Sequence, residues 1–206
     1  MTMQSASNDV LASQHITLFE LQQIRERIKR TMCIVQRMAG AGYRQSHVLS
    51  DGNTHDYHVR GIKSPSQLED ELLNLFIWVW SMKDYLKESY KASGIDPSSV
   101  EKVVDANREL QLISDIANRA KHGNLVKSRS RQFATLVNVG ITIPQSSIQN
   151  IIVEAFSVKM NVKDTDNVEF RVDIQCSSSG EVLDAFTVLH LGLKAWEQFV
   201  VPIVIS

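Results

Sequence analysis

In three stretches of the first 130 residues, apolar residues recur every three or four positions, as they do on one side of an amphipathic helix. One stripe runs over residues 21–38, a second over 68–86 and a third over 100–120. Ser64-Pro65-Ser66-Gln67 precedes the second stripe with a capping residue and a proline suited to the first helical position. Asp96-Pro97 gives the third a similar start. The pattern predicts three long helices.

Beyond Ser130 the apolar period falls to two, which is typical of strands that bury one face. Alternation is clearest over residues 133–143, 156–162 and 168–176, and we expect the last two to form a hairpin. Residues 193–201 predict a short closing helix. Because the period changes once, the sequence predicts an α+β fold, with an amino-terminal bundle of about three long helices followed by an antiparallel β meander and that closing helix.

The same boundary divides the chain into expected domains. We expect a disordered tail over residues 1–16, a helical bundle over residues 17–127, and an antiparallel strand lobe over residues 128–206 whose C-terminal helix packs on the bundle. Residues 41–63 are rich in Gly, Ser, Asp, Asn and His, and predict a loop with a short extended piece at 57–59.

Composition narrows the function classes. The chain has 206 residues, 43% hydrophobic and 22% charged, with a formal net charge of −1, so overall charge does not indicate a nucleic-acid or membrane partner. Its apolar runs are too short to span a bilayer, and the first residues lack a targeting pattern. Cys33 and Cys176 lie in unlike contexts, which indicates no disulfide framework. We expect a cytoplasmic protein with no membrane association, no cofactor and no nucleotide-binding glycine motif.

A polar cluster ends the third predicted helix. At about 100° per residue, Asp115, Asn118, Arg119 and His122 gather opposite the apolar side of that helix. Asp115 and Arg119 are four apart, as are Asn118 and His122, so each pair can touch. A histidine is suited to proton transfer near neutral pH, and Arg119 can hold a phosphate. Cleavage of an RNA phosphodiester requires both. These four are the candidate catalytic residues.

A segment without acidic residues overlaps this cluster. Residues 116–153 contain no Asp or Glu, so the lysines and arginines of this segment give it a positive charge. Positively charged side chains of this kind contact nucleic-acid phosphates. The candidate nucleic-acid-binding residues are Lys121, Lys127, Arg129 and Arg131. Two simpler readings stay open. The helix dipole favours cations in a last helical turn before a glycine, and a solvated linker would carry the same charges.

The segment Asn118-Arg119-Ala120-Lys121-His122, at the end of a helix that follows a long helix, resembles the HEPN superfamily over residues 17–123. The resemblance implies a helical-bundle RNase, or an inactive relative, of a toxin–antitoxin or defence system. It also implies a homodimer through the helical bundle, with Arg119 and His122 facing their copies. The family pattern has four to six residues between these two, with a polar residue after the arginine, whereas here Ala120 and Lys121 separate them. We therefore expect an RNA-directed protein, either an endoribonuclease or a degenerate non-catalytic relative.

Two other functions remain open. Trp78 and Trp80 lie where the second helix is apolar nearly all round, which fits a non-enzymatic dimeric module or a protein partner. The loop over residues 47–58 holds groups that can ligate zinc, manganese or nickel, which fits a metal-dependent enzyme, although their spacing matches no metal signature. Those groups are His47, Asp51, His55, Asp56 and His58.

Overall fold

The computed structural model describes residues 19–198, and the predicted tail over residues 1–16 lies outside them. The helices, in chain order, are α1 (Met3–Gln36), α2 (Pro65–Ala92), α3 (Ser98–Ala106), α4 (Arg108–His122) and α5 (Ala185–Ile205). The strands are β1 (Ala39–Val48), β2 (Thr54–Ile62), β3 (Thr135–Thr142), β4 (Ile148–Glu154), β5 (Ser157–Val162), β6 (Glu169–Gln175) and β7 (Val182–Asp184). The α+β class is confirmed. The helix-first order is wrong, because β1 and β2 lie between α1 and α2.

The segment predicted as a loop over residues 41–63 is instead the β1–β2 hairpin. Its strands carry polar side chains on much of both faces, so they lack the alternation that identifies a half-buried strand. Their turn is closed by backbone hydrogen bonds, with the Leu49 N–H donating to the Asn53 carbonyl at 2.8 Å and the Gly52 N–H to the Leu49 carbonyl at 3.0 Å. The hairpin therefore forms although its hydrophobic pattern does not predict it.

Local capping explains the helix boundaries. The Gln67 N–H donates to Ser64 Oγ at 3.0 Å, so the predicted start of α2 is confirmed. The third predicted helix is two helices, because Asn107 takes an extended conformation and its side chain accepts from the Leu110 N–H at 3.0 Å. Asn107 thus ends α3 and caps α4.

The strands form two sheets, in the orders β1-β2-β5-β4 and β3-β6-β7. In the first, β2 and β5 are parallel and the flanking pairs are antiparallel. The predicted hairpin over residues 156–176 is wrong, because β5 and β6 belong to different sheets. Hydrophobic periodicity identifies a strand with one buried face but does not identify the strand with which it pairs.

The chain forms two compact units. We call Met1–Met32, Leu73–Val137 and Asp173–Ser206 the helical unit. Buried side chains of all five helices lie in this unit, among them Val100 and Val104 of α3. Trp196 of α5 is buried there too, with its Nε1–H donating to the Val79 carbonyl at 3.1 Å. Other buried members are Leu21, Ile24, Ile28, Leu75, Phe76, Leu110, Ile113, Ile116 and Leu189. The predicted domain boundaries stay a prediction.

We call Cys33–Leu72 and Asn138–Val172 the sheet unit. Its buried cluster consists of Met38, Val59, Ile62, Leu68, Val162 and Val168. β2 and β5 approach so closely that a Cβ added at Gly61 would lie 2.1 Å from the Val162 carbonyl oxygen. Within the described residues, no helix has the length and hydropathy that a bilayer crossing requires.

Candidate nucleic-acid interface

Helix α4 ends at the predicted cluster because Gly123 adopts a left-handed conformation. Its φ is 71°, and its N–H donates to the Arg119 carbonyl at 2.8 Å. Glycine takes this conformation without a Cβ clash, which is why it closes helices so often. Lys121 and His122 lie in the last turn and are exposed, where the helix dipole favours positive charge.

Asp115 lies in the interior, not on an exposed polar face, with 0% of its surface accessible. Its Oδ1 accepts from the Arg129 N–H at 2.8 Å, and its Oδ2 accepts from the hydroxyls of Ser128, at 2.6 Å, and Ser130. A buried carboxylate without such partners would be costly, so these bonds offset its desolvation. Asp115 therefore anchors residues 128–130, which we call the anchored segment.

The other three candidate catalytic residues do not form the predicted pairs. Asn118 Nδ2 donates to Ser114 Oγ at 3.3 Å, one turn back along α4. Arg119 is half-buried, and its Nε is buried without a hydrogen-bond partner among the described residues. His122 is exposed. No hydrogen bond joins Asp115 to Arg119, or Asn118 to His122, in the described part of the chain, so the structure does not assemble the expected constellation.

Arg129 is held inside a charge network. Its Nη2 lies 2.6 Å from Glu101 Oε2 and 2.7 Å from Asp105 Oδ1, and its guanidinium carbon lies 5.8 Å from the centre of the Trp80 ring. Partial burial opposes ionisation of Glu101, but hydrogen bonds from Lys87 and Arg129 outweigh it and lower the Glu101 pKa to about 2. Arg129 is therefore paired with two acidic side chains of its own chain, and its predicted contact with nucleic-acid phosphate stays a prediction.

The other candidate nucleic-acid-binding residues, Lys121, Lys127 and Arg131, are exposed, as is His122. None of these four side chains has an ion-pair partner among the described residues. We define the basic strip as Lys121, His122, Lys127 and Arg131. Lys127 and Arg131 directly flank the anchored segment. Since no acidic residue occurs in residues 116–153, the stretch of chain that carries the strip contributes no negative charge of its own.

The backbone that carries Arg131 is fixed by further contacts. Arg131 has a φ of 61° and Phe133 a φ of 51°, a conformation uncommon for residues other than glycine. Ser178 Oγ donates to the Arg131 carbonyl at 2.9 Å, and Ser177 Oγ to the Phe133 carbonyl at 3.2 Å. These contacts hold the two left-handed residues in place, so the backbone at Arg131 is ordered.

The two tryptophans of α2 do not form an open apolar surface. Trp80 is only 6% exposed, and Lys83 Nζ lies 4.6 Å from its ring centre. Trp78 is half-buried, with the Arg27 guanidinium carbon 4.4 Å from its ring centre. One cation of the same chain lies over each ring, which is a favourable cation–π arrangement. The predicted role of the two tryptophans in a dimer or partner interface stays a prediction.

The metal hypothesis loses its geometric basis in the β1–β2 hairpin. His47 and His55 are opposite each other on one face of the sheet, and strand alternation places Asp56 and His58 on the other. The Asp51 carboxylate accepts from the Asn53 backbone and side chain, which lowers the pKa of Asp51. Among the described residues, no group of three or more metal-ligating side chains could hold an ion.

Sequence reasoning missed the residues that organise this interface. Ser128, Ser130, Glu101 and Asp105 position the anchored segment, although none of them stands in a recognisable motif. The available signal is Ser128-Arg129-Ser130 itself, since paired hydroxyls around an arginine can serve a buried carboxylate. Comparisons of the chain with family models, curated proteins and solved structures found no match.

Proposed function

We propose that this protein binds RNA through the basic strip and does not cleave it. The observation that supports the proposal is the anchored segment, which leaves Lys127 and Arg131 exposed on either side of a fixed backbone. Cations on an ordered loop lose less conformational freedom on binding than cations on a mobile one. The choice of RNA over other polyanions comes from the HEPN resemblance.

The absence of cleavage is part of the proposal for a structural reason. General acid–base catalysis needs a group within hydrogen-bond reach of the proton that it moves, and usually a partner that orients it. Asp115 is occupied by the anchored segment, and Asn118 by Ser114. His122 therefore has neither Asp115 nor Asn118 as an orienting hydrogen-bond partner among the described residues, which disfavours catalysis.

The test measures the affinity for a short labelled single-stranded RNA by fluorescence anisotropy across a salt series. We expect wild-type affinity to fall linearly on a logarithmic salt scale, because phosphate contacts release counterions. In the Lys127→Gln/Arg131→Gln double variant the slope should decrease in magnitude by about 1.4, since each lost contact removes about 0.7. The control is Arg37→Gln/Lys102→Gln, which removes the same charge at exposed positions outside the strip and should keep the wild-type slope.

Two outcomes would refute the proposal. If wild-type protein shows no binding at low salt, the nucleic-acid function is excluded, and the exposed aliphatic side chains of Ile151 and Val153 on β4 become the surface on which to seek a protein partner. If the wild type cleaves the RNA and His122→Ala does not, the protein is a nuclease and the non-catalytic part of the proposal is wrong.

A further inference from the structure

The sheet β1-β2-β5-β4 has two unlike faces. On one face, Val59 and Val162 belong to the buried cluster of the sheet unit, and Met160 packs against it. Side chains alternate along each strand, so the intervening residues occupy the opposite face. That second face carries polar and charged residues, which makes it the outer face of this sheet.

Strand register brings several of these outer residues together. His58 of β2 is paired with Arg44 of β1 and Lys159 of β5, and Lys159 is paired with Ile152 of β4. Two residues further along β2, Arg60 is paired with Asn161. Side chains opposite each other on one face of a sheet have Cβ atoms about 5 Å apart, within reach of one small ligand.

A cavity of about 270 Å³ lies at this position and is lined by His58, Arg60, Ile152, Lys159 and Asn161. Three of the five can carry positive charge, and Asn161 adds an amide. No acidic side chain is among them. Ile152 contributes the single aliphatic wall, so the cavity combines anion-binding groups with a small apolar surface.

Ion pairs on the same face account for only part of this charge. Arg44 Nη2 lies 2.6 Å from Asp56 Oδ2, and Lys159 Nζ lies 2.7 Å from Glu154 Oε1. Arg60 has no ion-pair partner among the described residues, although it lies on the same strand as Asp56. Its guanidinium therefore stays available for a charged ligand.

We propose that this cavity binds the phosphate group of a small phosphate monoester. The planar fork of Arg60 matches two phosphate oxygens. The His58 ring supplies a further donor, and so do the N–H groups of the Lys159 ammonium that Glu154 does not use. Ile152 packs against the carbon skeleton of the ester. This site lies within the sheet unit and uses no residue of the basic strip, so it goes beyond the proposed RNA function and can fail independently of it.

The first experiment maps the site in the wild-type protein by amide chemical shifts during titration with glycerol 3-phosphate, inorganic phosphate and acetate. We expect both phosphates to shift residues 58–60 and 159–161, with the ester binding more tightly and acetate shifting them little. Shifts elsewhere, equal binding of acetate, or binding of inorganic phosphate without the ester would overturn the proposal. Because this measurement needs no variant, it does not depend on how substitutions affect folding.

The second experiment measures affinity for glycerol 3-phosphate by calorimetry in Arg60→Gln, with Arg37→Gln as control. Arg37 is an exposed arginine of the same unit that does not line the cavity. We expect Arg60→Gln to weaken binding about tenfold or more, because a charge-assisted bidentate contact is lost. Arg37→Gln should bind as the wild type does. Equal effects of the two substitutions would show that net charge, not the cavity, attracts the ligand.

Discussion

Removing the buried carboxylate of Asp115 should strongly destabilise the protein. In Asp115→Ala, three donors lose their acceptor: the Arg129 N–H and the hydroxyls of Ser128 and Ser130. A hydrogen bond to a charged group contributes about 1.5 kcal/mol or more. Because the Ser128 and Ser130 oxygens lie 3.2 Å apart, these hydroxyls can partly satisfy each other. We therefore expect a loss of about 3–4 kcal/mol in the free energy of unfolding, a large share of the 5–15 kcal/mol typical of a folded domain.

The isosteric change Asp115→Asn separates charge and hydrogen bonding from shape. Asn keeps one oxygen to accept from the Arg129 N–H, and the two serine hydroxyls can rotate to accept from its amide. We expect a smaller loss, about 1–2 kcal/mol. Asp166→Ala, at an exposed acidic position, is the control and should change stability by less than about 0.5 kcal/mol.

Urea unfolding monitored by tryptophan fluorescence gives these free energies, and hydrogen exchange at the Arg129 amide reports directly on the anchored segment. We expect the amide to exchange faster in Asp115→Ala than in the wild type. A loss below about 1 kcal/mol in Asp115→Ala, with unchanged exchange at Arg129, would refute the conclusion that this carboxylate holds the segment.

Two further predictions concern other parts of the structure. Gly61→Ala should lower the thermal unfolding midpoint well below that of Gly52→Ala. Both glycines have positive φ, but only a Cβ at position 61 would collide with a backbone oxygen, 2.1 Å away. Similar midpoints of the two variants would argue against a close approach of β2 and β5. The Glu101 pKa of about 2 lies below its unfolded value of 4.5, so Glu101 contributes stability above pH 4.5 that is lost as the pH falls toward 2. Unfolding free energies measured between pH 7 and pH 2 should therefore fall more steeply in the wild type than in Glu101→Gln, and parallel curves would contradict the charge network.

The elements that sequence predicts well are those whose stability comes from local signals. Ser64 and Gly123 mark helix ends through short-range capping, and each does so in the structure. The break at Asn107 is harder to see, because the apolar stripe continues through it and one side-chain cap decides the outcome. The β1–β2 hairpin is missed because most of its side chains are polar, and hydrophobic periodicity gives no information about backbone pairing.

The candidate site was predictable as a location but not as an arrangement. A helical wheel places Asp115 with Arg119, because it considers one helix by itself. The structure buries residues 112–117 on all sides and brings serines from 13 and 15 residues later to the Asp115 carboxylate. Arg129 likewise pairs with acids 24 and 28 residues earlier in the chain. Contacts over such separations depend on tertiary packing, which local spacing does not encode.

The four positions at which the chain passes from one compact unit to the other all fall inside regular elements. The passage after Met32 lies within α1, that after Leu72 within α2, that after Val137 within β3 and that after Val172 within β6. No single cut can release either unit intact, and every such cut would leave helical or strand hydrogen bonds without partners. A truncated fragment is therefore a poor substitute for the whole chain in any assay of this protein, and each unit is best perturbed by point substitution.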